Sequence, residues 1–550
     1  MYFNIKPPLR RFFLNFIICE DKIISRIVFK SLIDGKNLGE VEFSGSINIY
    51  KALISLGIVL PGISCGGNAS CGKCLIYVKG DAFTISIEEK DLIFRYFSYK
   101  PNKIPEKYGE PRLACFCAVK GNSTVYFHPS DKNKNKTSEK VQNVSRTGIA
   151  IDIGTTTLEL SVADMATEKV IYYSRELNTQ KIYGTDVLSR INNSNSLGHL
   201  SLHKLIIEQI KHNISDAMAT LNIDYSTIDE IVVTGNTTML HFFYNLDPYG
   251  IGVSPFIPQS LFGITLNANS LFEFLPQPIK LFIAPCIGPY IGGDISCGIL
   301  HTEIYNKVSI NILVDIGTNG EIVLCKNGEI YCCSTAAGPA FEGGEISMGM
   351  VANDGAIYNV WLENERIEYS VISDIEPVGI CGTGIISAIE AFLIAGIIDP
   401  TGKIVSSDHQ HTERIIQINS QPAVLLTESG IFITQQDIRN IQLAKAAISA
   451  GISTLLYETS TDISEIEHLY LSGGFGSGIN AKSAAFIGLI PKELSDRTVS
   501  IGNSSLQGAV KLLLNKQSKN LITSLAGKAK ELTLSSNAVF MEKYIEMMTF

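Results

Sequence analysis

The sequence lacks an apolar run of the ~18 consecutive residues that a membrane-spanning helix needs. It lacks a basic excess as well: 45 lysines and arginines against 54 aspartates and glutamates leave a formal net charge of −9. A protein that neutralises nucleic-acid phosphates needs a basic face, so neither a membrane nor a nucleic acid is expected as a partner. Charge of either sign is scarce, at 18% of residues, while 45% are hydrophobic, which excludes disorder and allows buried cores. Cysteine is too thin for a disulfide scaffold, with 12 in 550 residues. An export signal is missing too. Arg10-Arg11-Phe12-Phe13-Leu14 has the outward form of a twin-arginine signal, but its apolar stretch stops at Cys19, before Glu20-Asp21-Lys22, with no small-residue cleavage site. Residues 1–22 therefore read as a short N-terminal extension, and the chain as a soluble, cytoplasmic, multidomain protein.

The cysteines that are present cluster. Cys65-Gly-Gly-Asn-Ala-Ser-Cys71-Gly-Lys-Cys74 puts three thiols on one segment, and Arg112-Leu113-Ala114-Cys115 follows about forty residues later. A helix or strand would aim thiols so closely spaced in different directions. A loop containing Gly66, Gly67 and Gly72 can wrap a metal centre and bring backbone amides to the sulfurs. Three readings of the spacing stand, an iron–sulfur cluster, a structural zinc or unligated thiols; zinc sites more often pair two Cys-x-x-Cys elements, and only one is present. The first gap holds five residues where plant-type ferredoxins have four, which resembles the vertebrate-type and related bacterial ferredoxins. Residues 26–29 and 39–43 read as short strands about an Asp34-Gly35 turn, 49–56 as an amphipathic helix and 75–78 as a further strand. Residues 23–130 thus resemble a β-grasp [2Fe-2S] ferredoxin-like domain. The resemblance implies ligation by Cys65, Cys71, Cys74 and a fourth cysteine. Cys115 and Cys117 both qualify, and the Arg-Leu-Ala-Cys context favours Cys115.

Residues 131–140 read DKNKNKTSEK, without an apolar side chain, and mark a solvated linker spanning 131–146. Beyond it strands and helices alternate. An apolar strand ends in Asp152 and the turn Gly154-Thr155-Thr156, and the same device recurs at Asp315 with Gly317-Thr318-Asn319. Such a turn offers amides and hydroxyls to phosphate oxygens, and a strand-end aspartate can hold a magnesium ion. A second pair of strands repeats, 228–235 before Asn236 and 466–472 before Gly473-Gly474. The chain after the linker reads as two related α/β halves, 147–310 and 311–550, with Asp152 and Asp315 facing one another across a cleft. This organisation resembles the acetate kinase, sugar kinase, Hsp70 and actin superfamily, a duplicated actin-like (ribonuclease H-like) ATPase fold. The resemblance implies ATP and Mg2+ in the cleft. It places Asp152, Gly154, Thr155 and Thr156 on the first phosphate loop, and Asp315, Gly317, Thr318 and Asn319 on the second. Gly473 and Gly474 would face adenosine, Asp152 would position magnesium, and Asp315 would orient the attacking water or assist as base. The glycine-rich stretches 336–345 and 379–384, the second holding Gly382 and leading into a helix over 385–394, either contact the nucleotide or serve close packing. Helix 437–456 is expected between the halves. The six cysteines from Cys286 to Cys381 are expected in the core.

Taken whole, residues 23–550 resemble the reductive activators of corrinoid proteins, which join a [2Fe-2S] domain to an ATPase domain of this superfamily. The family-like segments are Thr234-Gly235-Asn236-Thr237-Thr238-Met239, Gly292-Gly293-Asp294-Ile295, Ala337-Gly338-Pro339-Ala340-Phe341-Glu342-Gly343 and Ile487-Gly488-Leu489-Ile490-Pro491. The resemblance implies ATP-dependent one-electron reduction of Co(II) to Co(I) in a corrinoid protein of a methyltransferase system. It also implies an upstream low-potential electron donor and a homodimer. Two other readings use the same parts. One is an ATP-driven electron donor to another enzyme, such as a radical dehydratase, whose activators usually carry a [4Fe-4S] cluster between two subunits. The other is a [2Fe-2S] redox sensor with a nucleotide-binding scaffold. From the cysteine pattern, Cys71→Ser is expected to abolish the visible absorption of the reconstituted protein and to leave nucleotide binding intact; absorption that survives removes Cys71 from the ligand set.

Overall fold

The computed structural model describes residues 4–6, 24–32, 35–56, 58, 60, 74–97, 108–127, 136–138, 144–276, 278–405, 412–418, 420–473 and 478–550. Two compact units separate: Met1–Asp131 with the short segments Gln417–Gln421 and Thr427–Gly430, and the rest of the chain. Among the described residues no helix is long and apolar enough to cross a membrane.

The first unit contains strands β1 (Ile24–Ser31) and β2 (Asn37–Ser44), helix α1 (Ile49–Ser55), strand β3 (Leu75–Ala82), helix α2 (Ile87–Phe97), and strands β4 (Glu110–Leu113) and β5 (Ala118–Phe127). They form one mixed sheet in the order β2-β1-β5-β3-β4, with Asn4–Lys6 beyond β2. β1 runs parallel to β5, and the remaining neighbours in that order are antiparallel. Alternate residues are buried, Ile27 and Phe29, Val41 and Phe43, Ile76 and Val78, Val125 and Phe127, as a sheet with one face in a core requires. Glu89 of α2 is buried with Arg112 of β4. Its carboxylate accepts from Arg112 Nε at 2.9 Å, from Arg112 Nη2 at 2.8 Å and from the Leu113 amide at 2.8 Å. A bidentate pair of this kind offsets the cost of desolvating both charges, and it ties down β4 just ahead of Cys115.

The second unit holds two sheets of the same design. The first uses β6 (Thr147–Ile153), β7 (Thr157–Asp164), β8 (Lys169–Leu177), β9 (Ile228–Gly235) and β10 (Lys280–Ile283) in the order β10-β9-β6-β7-β8. Its helices are α3 (Val187–Leu197), α4 (His199–Leu221), α5 (Thr237–Phe243) and α6 (Gly293–Thr302). The second sheet uses β11 (Ile310–Ile316), β12 (Gly320–Lys326), β13 (Glu329–Thr335), β14 (Ile466–Ser472) and β15 (Thr498–Gly502) in the order β15-β14-β11-β12-β13. With it go α7 (Gly382–Ile394), α8 (Gln435–Glu458), α9 (Ser504–Leu514) and α10 (Ala538–Glu546). In each sheet the first three strands form an antiparallel meander, and the later two add in parallel beside the first. β6 and β11 are buried along nearly their whole length, which is why both read as unbroken apolar runs.

Helix placement departs from one expectation. α8 forms where expected, with a Thr434–Asp437 capping box, but it packs on β12, β13 and α10 rather than between the halves. α6 and α9 link the halves instead. Ile295 and Ile299 of α6 cluster with Leu313 and Val323 of the second sheet, while Leu506, Ala509, Leu512 and Leu513 of α9 cluster with Ala150, Val232 and Phe282 of the first. Each half thus lends a helix to the other's core. Removing one partner of the buried pair in the first unit leaves an uncompensated charge: Glu89→Ala is expected to destabilise that unit by ~3–5 kcal/mol, measured as faster hydrogen exchange of the β4 and β5 amides under increasing urea.

Candidate functional site

The cysteine turn in the first unit is held by backbone bonds. Ala114 N–H donates to the Cys74 carbonyl at 2.9 Å, and Tyr50 N–H at the start of α1 donates to the Ala114 carbonyl at 3.1 Å. Asn48 Nδ2 donates to the Cys115 carbonyl at 2.9 Å. These contacts bring the Cys74 and Cys115 sulfurs to 3.1 Å of one another. Two thiolates on one tetrahedral metal with metal–sulfur bonds of ~2.3 Å stand about 3.8 Å apart, so the pair is close enough to share an ion or cluster only if the sulfurs spread from their present separation. Cys117 is wholly buried two residues on, whereas Cys115 is partly exposed. Cys65 and Cys71 lie outside the described residues, as do glycines 66, 67 and 72. Among the described residues no third ligand-type side chain joins this pair.

In the second unit the strand-end aspartates sit in matching surroundings. Asp152 on β6 is registered against Glu159 of β7 on one side and Thr234 of β9 on the other. Asp315 on β11 is registered against Glu321 of β12 and Ser472 of β14. The glycine after each parallel strand repeats as well. Gly235 and Gly473 have φ of 151° and 116°, and a Cβ on either would lie 2.5 Å or 2.2 Å from the carbonyl oxygen of Ile153 or Ile316. Any side chain would push the parallel strand off the phosphate-loop strand, so glycine is required there.

Both copies line one cavity of about 580 Å³, together with Asp294, Glu342, Gly382, Thr383 and Gly473. Gly154, Thr155, Thr156, Gly317, Thr318 and Asn319 line it too, so every residue proposed for the two loops faces the same space. Gly474 lies outside the described residues. The first loop closes with Gly154 N–H donating to the Thr157 carbonyl at 2.9 Å, the second with Gly317 N–H donating to the Asn319 carbonyl at 2.9 Å. Asn236 Nδ2 steadies Thr155 Oγ1 at 3.0 Å. Gly382 opens α7, so the helix begins three residues earlier than its apolar run, and Gly384 packs against the Ile357 carbonyl. Close packing and cavity lining both apply to that segment.

The electrostatics of the cavity are unusual. Burial, reinforced by the charge of Glu159, pushes the Asp152 carboxyl up to about 8, although Asn503 Nδ2 at 2.8 Å and Ser505 Oγ at 3.0 Å donate to it. Burial and the neighbouring Asp315 take Asp294 to about 7. Burial and the charge of Glu342 take Asp315 to about 6, against a hydrogen bond from Ser472 Oγ at 2.9 Å. Glu321 is raised well above the usual carboxylate range by burial and by Asp294 and Asp315. Carboxylates crowded in this way disfavour one another's ionised forms, and a divalent cation relieves them. The N-termini of α6 and α9, at Asp294 and Asn503, direct positive dipole ends toward the same group. Among the described residues no three ligand-type side chains stand together as a formed metal site, so what the cavity offers an oxygen-seeking ion such as magnesium is buried negative charge rather than a ready coordination shell.

Sequence reasoning did not single out Glu159, Glu321, Asp294 or Glu342 as site residues. The first two carried a usable signal, a glutamate in the second strand of each copy. Asp294 sat inside a family-like segment, and Glu342 inside the glycine-rich stretch 336–345, for which nucleotide contact and close packing were both open. Elsewhere the bland expectations hold: Cys286, Cys297, Cys325, Cys332, Cys333 and Cys381 are buried. The His241 ring bridges the Thr237 carbonyl at 2.7 Å and the Gln259 amide at 3.1 Å within the core.

Residues 309–550 match the family described as the C-terminal domain of RACo, the ASKHA domain, and residues 147–307 match the RACo middle region. Over 443 residues the chain is 33% identical to the corrinoid activation enzyme RamQ of Eubacterium limosum, covering 78% of this chain and 72% of that one. A Methanosarcina barkeri reductase of the Co(II) methylated amine-specific corrinoid protein is 27% identical over 431 residues, covering 72% of this chain and 76% of the other. Among solved structures, a reductive activator for corrinoid, iron–sulfur protein superposes with a TM-score of 0.69 at 27% identity, covering 96% of this chain and 98% of its own.

The raised carboxyls set a pH dependence. Asp152 ordinarily titrates near 3.8 and here near 8, so the folded chain holds protons that the unfolded chain has released across that interval. Stability therefore falls as pH rises through the window. Without divalent ions, the melting temperature is expected to drop between pH 6 and pH 8, and Asp294→Asn is expected to flatten that drop. Added Mg2+ should raise the melting temperature more at pH 8 than at pH 6, because it binds the ionised forms.

Proposed function

The chain belongs to the reductive activators of corrinoid proteins, and from that premise we propose that it uses ATP to drive a single electron onto the cobalt of a corrinoid protein, returning inactive Co(II) to Co(I). One observation carries the proposal: carboxylates and phosphate-loop hydroxyls from two equivalent half-folds converge on one cavity, in a chain that also brings the Cys74 and Cys115 sulfurs together.

The first unit takes the role of a β-grasp, ferredoxin-like domain, with Cys65, Cys71, Cys74 and Cys115 holding a [2Fe-2S] cluster. Such a cluster supplies one electron at low potential, near about −400 mV in plant-type ferredoxins. An upstream reductant must refill it. Asn48 and the start of α1 hold the Cys115 turn in place.

In the second unit, Asp152 and Asp294 would hold magnesium with the nucleotide phosphates. Thr155 and Thr156 on one side and Thr318 on the other offer hydroxyls to phosphate oxygens. Asp315, raised toward neutrality, is suited to accept a proton from the attacking water. Because the two loops belong to different halves, a nucleotide that contacts both favours a particular closure of the cleft. Hydrolysis removes that preference. Closure therefore changes with the nucleotide state, which is how ATP can act on an electron transfer that it does not itself perform. The corrinoid is expected to stay in the partner protein, and the activator is proposed to act as a dimer in the cytoplasm.

The test is anaerobic. The reduced, full-length chain is mixed with a Co(II) corrinoid protein from the same genome, and the visible spectrum is followed with and without Mg-ATP. Formation of Co(I) only when ATP is present supports the proposal. Retention of Co(II) across several corrinoid proteins, with the cluster spectrum intact, would shift the electron's destination to another acceptor or leave a sensor.

A further inference from the structure

Glu342 ends a short 3-10 turn, Pro339–Glu342, bounded by Gly338 and Gly343 with φ of 78° and 76°. The turn sends its carboxylate across the cleft. One oxygen, Oε2, accepts from Thr156 Oγ1 of the first loop at 2.8 Å and from Thr318 Oγ1 of the second at 3.0 Å. These are two of the hydroxyls assigned above to phosphate. A single carboxylate oxygen thus holds both loops and joins the halves through them.

The charge beneath the first loop points the same way. Arg190 of α3 is wholly buried. Its hydrogen bonds go to the Gly184 carbonyl at 2.8 Å, the Thr155 carbonyl and the Met239 sulfur at 3.1 Å, rather than to a carboxylate. Burial brings its guanidinium down to about 9, and the nearby charges of Asp186 and Glu342 work against that fall. Glu342 is therefore the anion that faces both threonine hydroxyls, and after Asp186 it is the second charge supporting the buried cation behind them.

We infer that Glu342 is a displaceable stand-in for the phosphate chain, a latch that occupies the two loop hydroxyls until nucleotide takes them. The inference rests on the nucleotide reading above and goes beyond it. An incoming phosphate needs the same two donors and carries the same sign of charge, so it must turn the Glu342 carboxylate out of the cleft. Nucleotide affinity is reduced by the share of molecules in which the latch is closed. Displacing it also exchanges a bridge made by the protein for one made by the ligand, so the contact between the loops reports whether phosphate is present.

The test is calorimetric binding of Mg-AMPPNP, a non-hydrolysable ATP analogue, and of adenosine to the full-length chain and to Glu342→Ala and Glu342→Gln. Loss of the latch is expected to tighten AMPPNP binding about tenfold in E342A and by a smaller factor in E342Q, which keeps an acceptor oxygen but no charge. Adenosine, which lacks phosphate, should bind all three alike. A residue with only a structural role would weaken both ligands on removal. Unchanged or weaker AMPPNP binding in both variants overturns the latch while leaving the nucleotide reading in place. Failure of the wild-type chain to bind AMPPNP or ATP overturns both. Should E342A fail to fold, E342Q, nearly identical in shape, decides the question by itself.

Discussion

The burial of like charges at the ends of two equivalent strands is the constraint around which the second unit is organised. Asp152, Asp294, Asp315 and Glu321 lie within one cavity, and burial drives each above its ordinary range. A fold does not hold such a group for its own stability, since desolvated carboxylates that repel one another oppose folding. The structure limits the cost with directed donors, Asn503 and Ser505 to Asp152 and Ser472 to Asp315, and with two helix N-termini. What remains is a buried negative charge that a bound cation would relieve.

Duplication explains how the two strand-end aspartates came to share a cavity. Each half has the same strand order and the same neighbours beside its aspartate, a glutamate on the antiparallel side and a hydroxyl on the parallel side. The exchanged helices then fix how the halves face one another. α6 leaves the first half to pack on the second sheet, and α9 leaves the second to pack on the first. Asp294 rides on the first of these helices and the Asp152 donors Asn503 and Ser505 on the N-terminal end of the second, so the elements that join the halves also complete the site. A change in the angle between halves therefore reaches the carboxylates directly.

The two units use different means to hold reactive groups. Around Cys115 the restraint is mostly backbone, with the turn pinned by Asn48, Tyr50 and Cys74, and a buried Glu89–Arg112 pair behind it. Around Asp152 and Asp315 it is mostly side chain. Backbone bonds in a packed turn leave a side chain little freedom to move, whereas threonine, serine and asparagine side chains can reorient and exchange partners.

Local patterns were legible in the residues alone. The cysteine spacing, the two Asp-x-Gly-Thr turns and the doubled order of strands are each written within a few consecutive positions, and steric demands on a turn act over that same range. The amphipathic face of residues 437–456 announced a helix, but only that one side is buried, not against what; it lies on β12 and β13, while α6 and α9 connect the halves. Glu159 and Glu321 were visible as residues and invisible as partners, because strand register alone sets them opposite Asp152 and Asp315. Glu342 is more distant still: 186 positions from Thr156, its carboxylate meets that hydroxyl only once the two halves close on one cleft. The sequence by itself determined the local motifs and the design of each half, since short-range sterics and hydrophobic periodicity specify those. Which carboxylates share one cavity, and which of them spans it, was decided by tertiary structure, because charges interact through space and their separation in space has no counterpart in their separation along the chain.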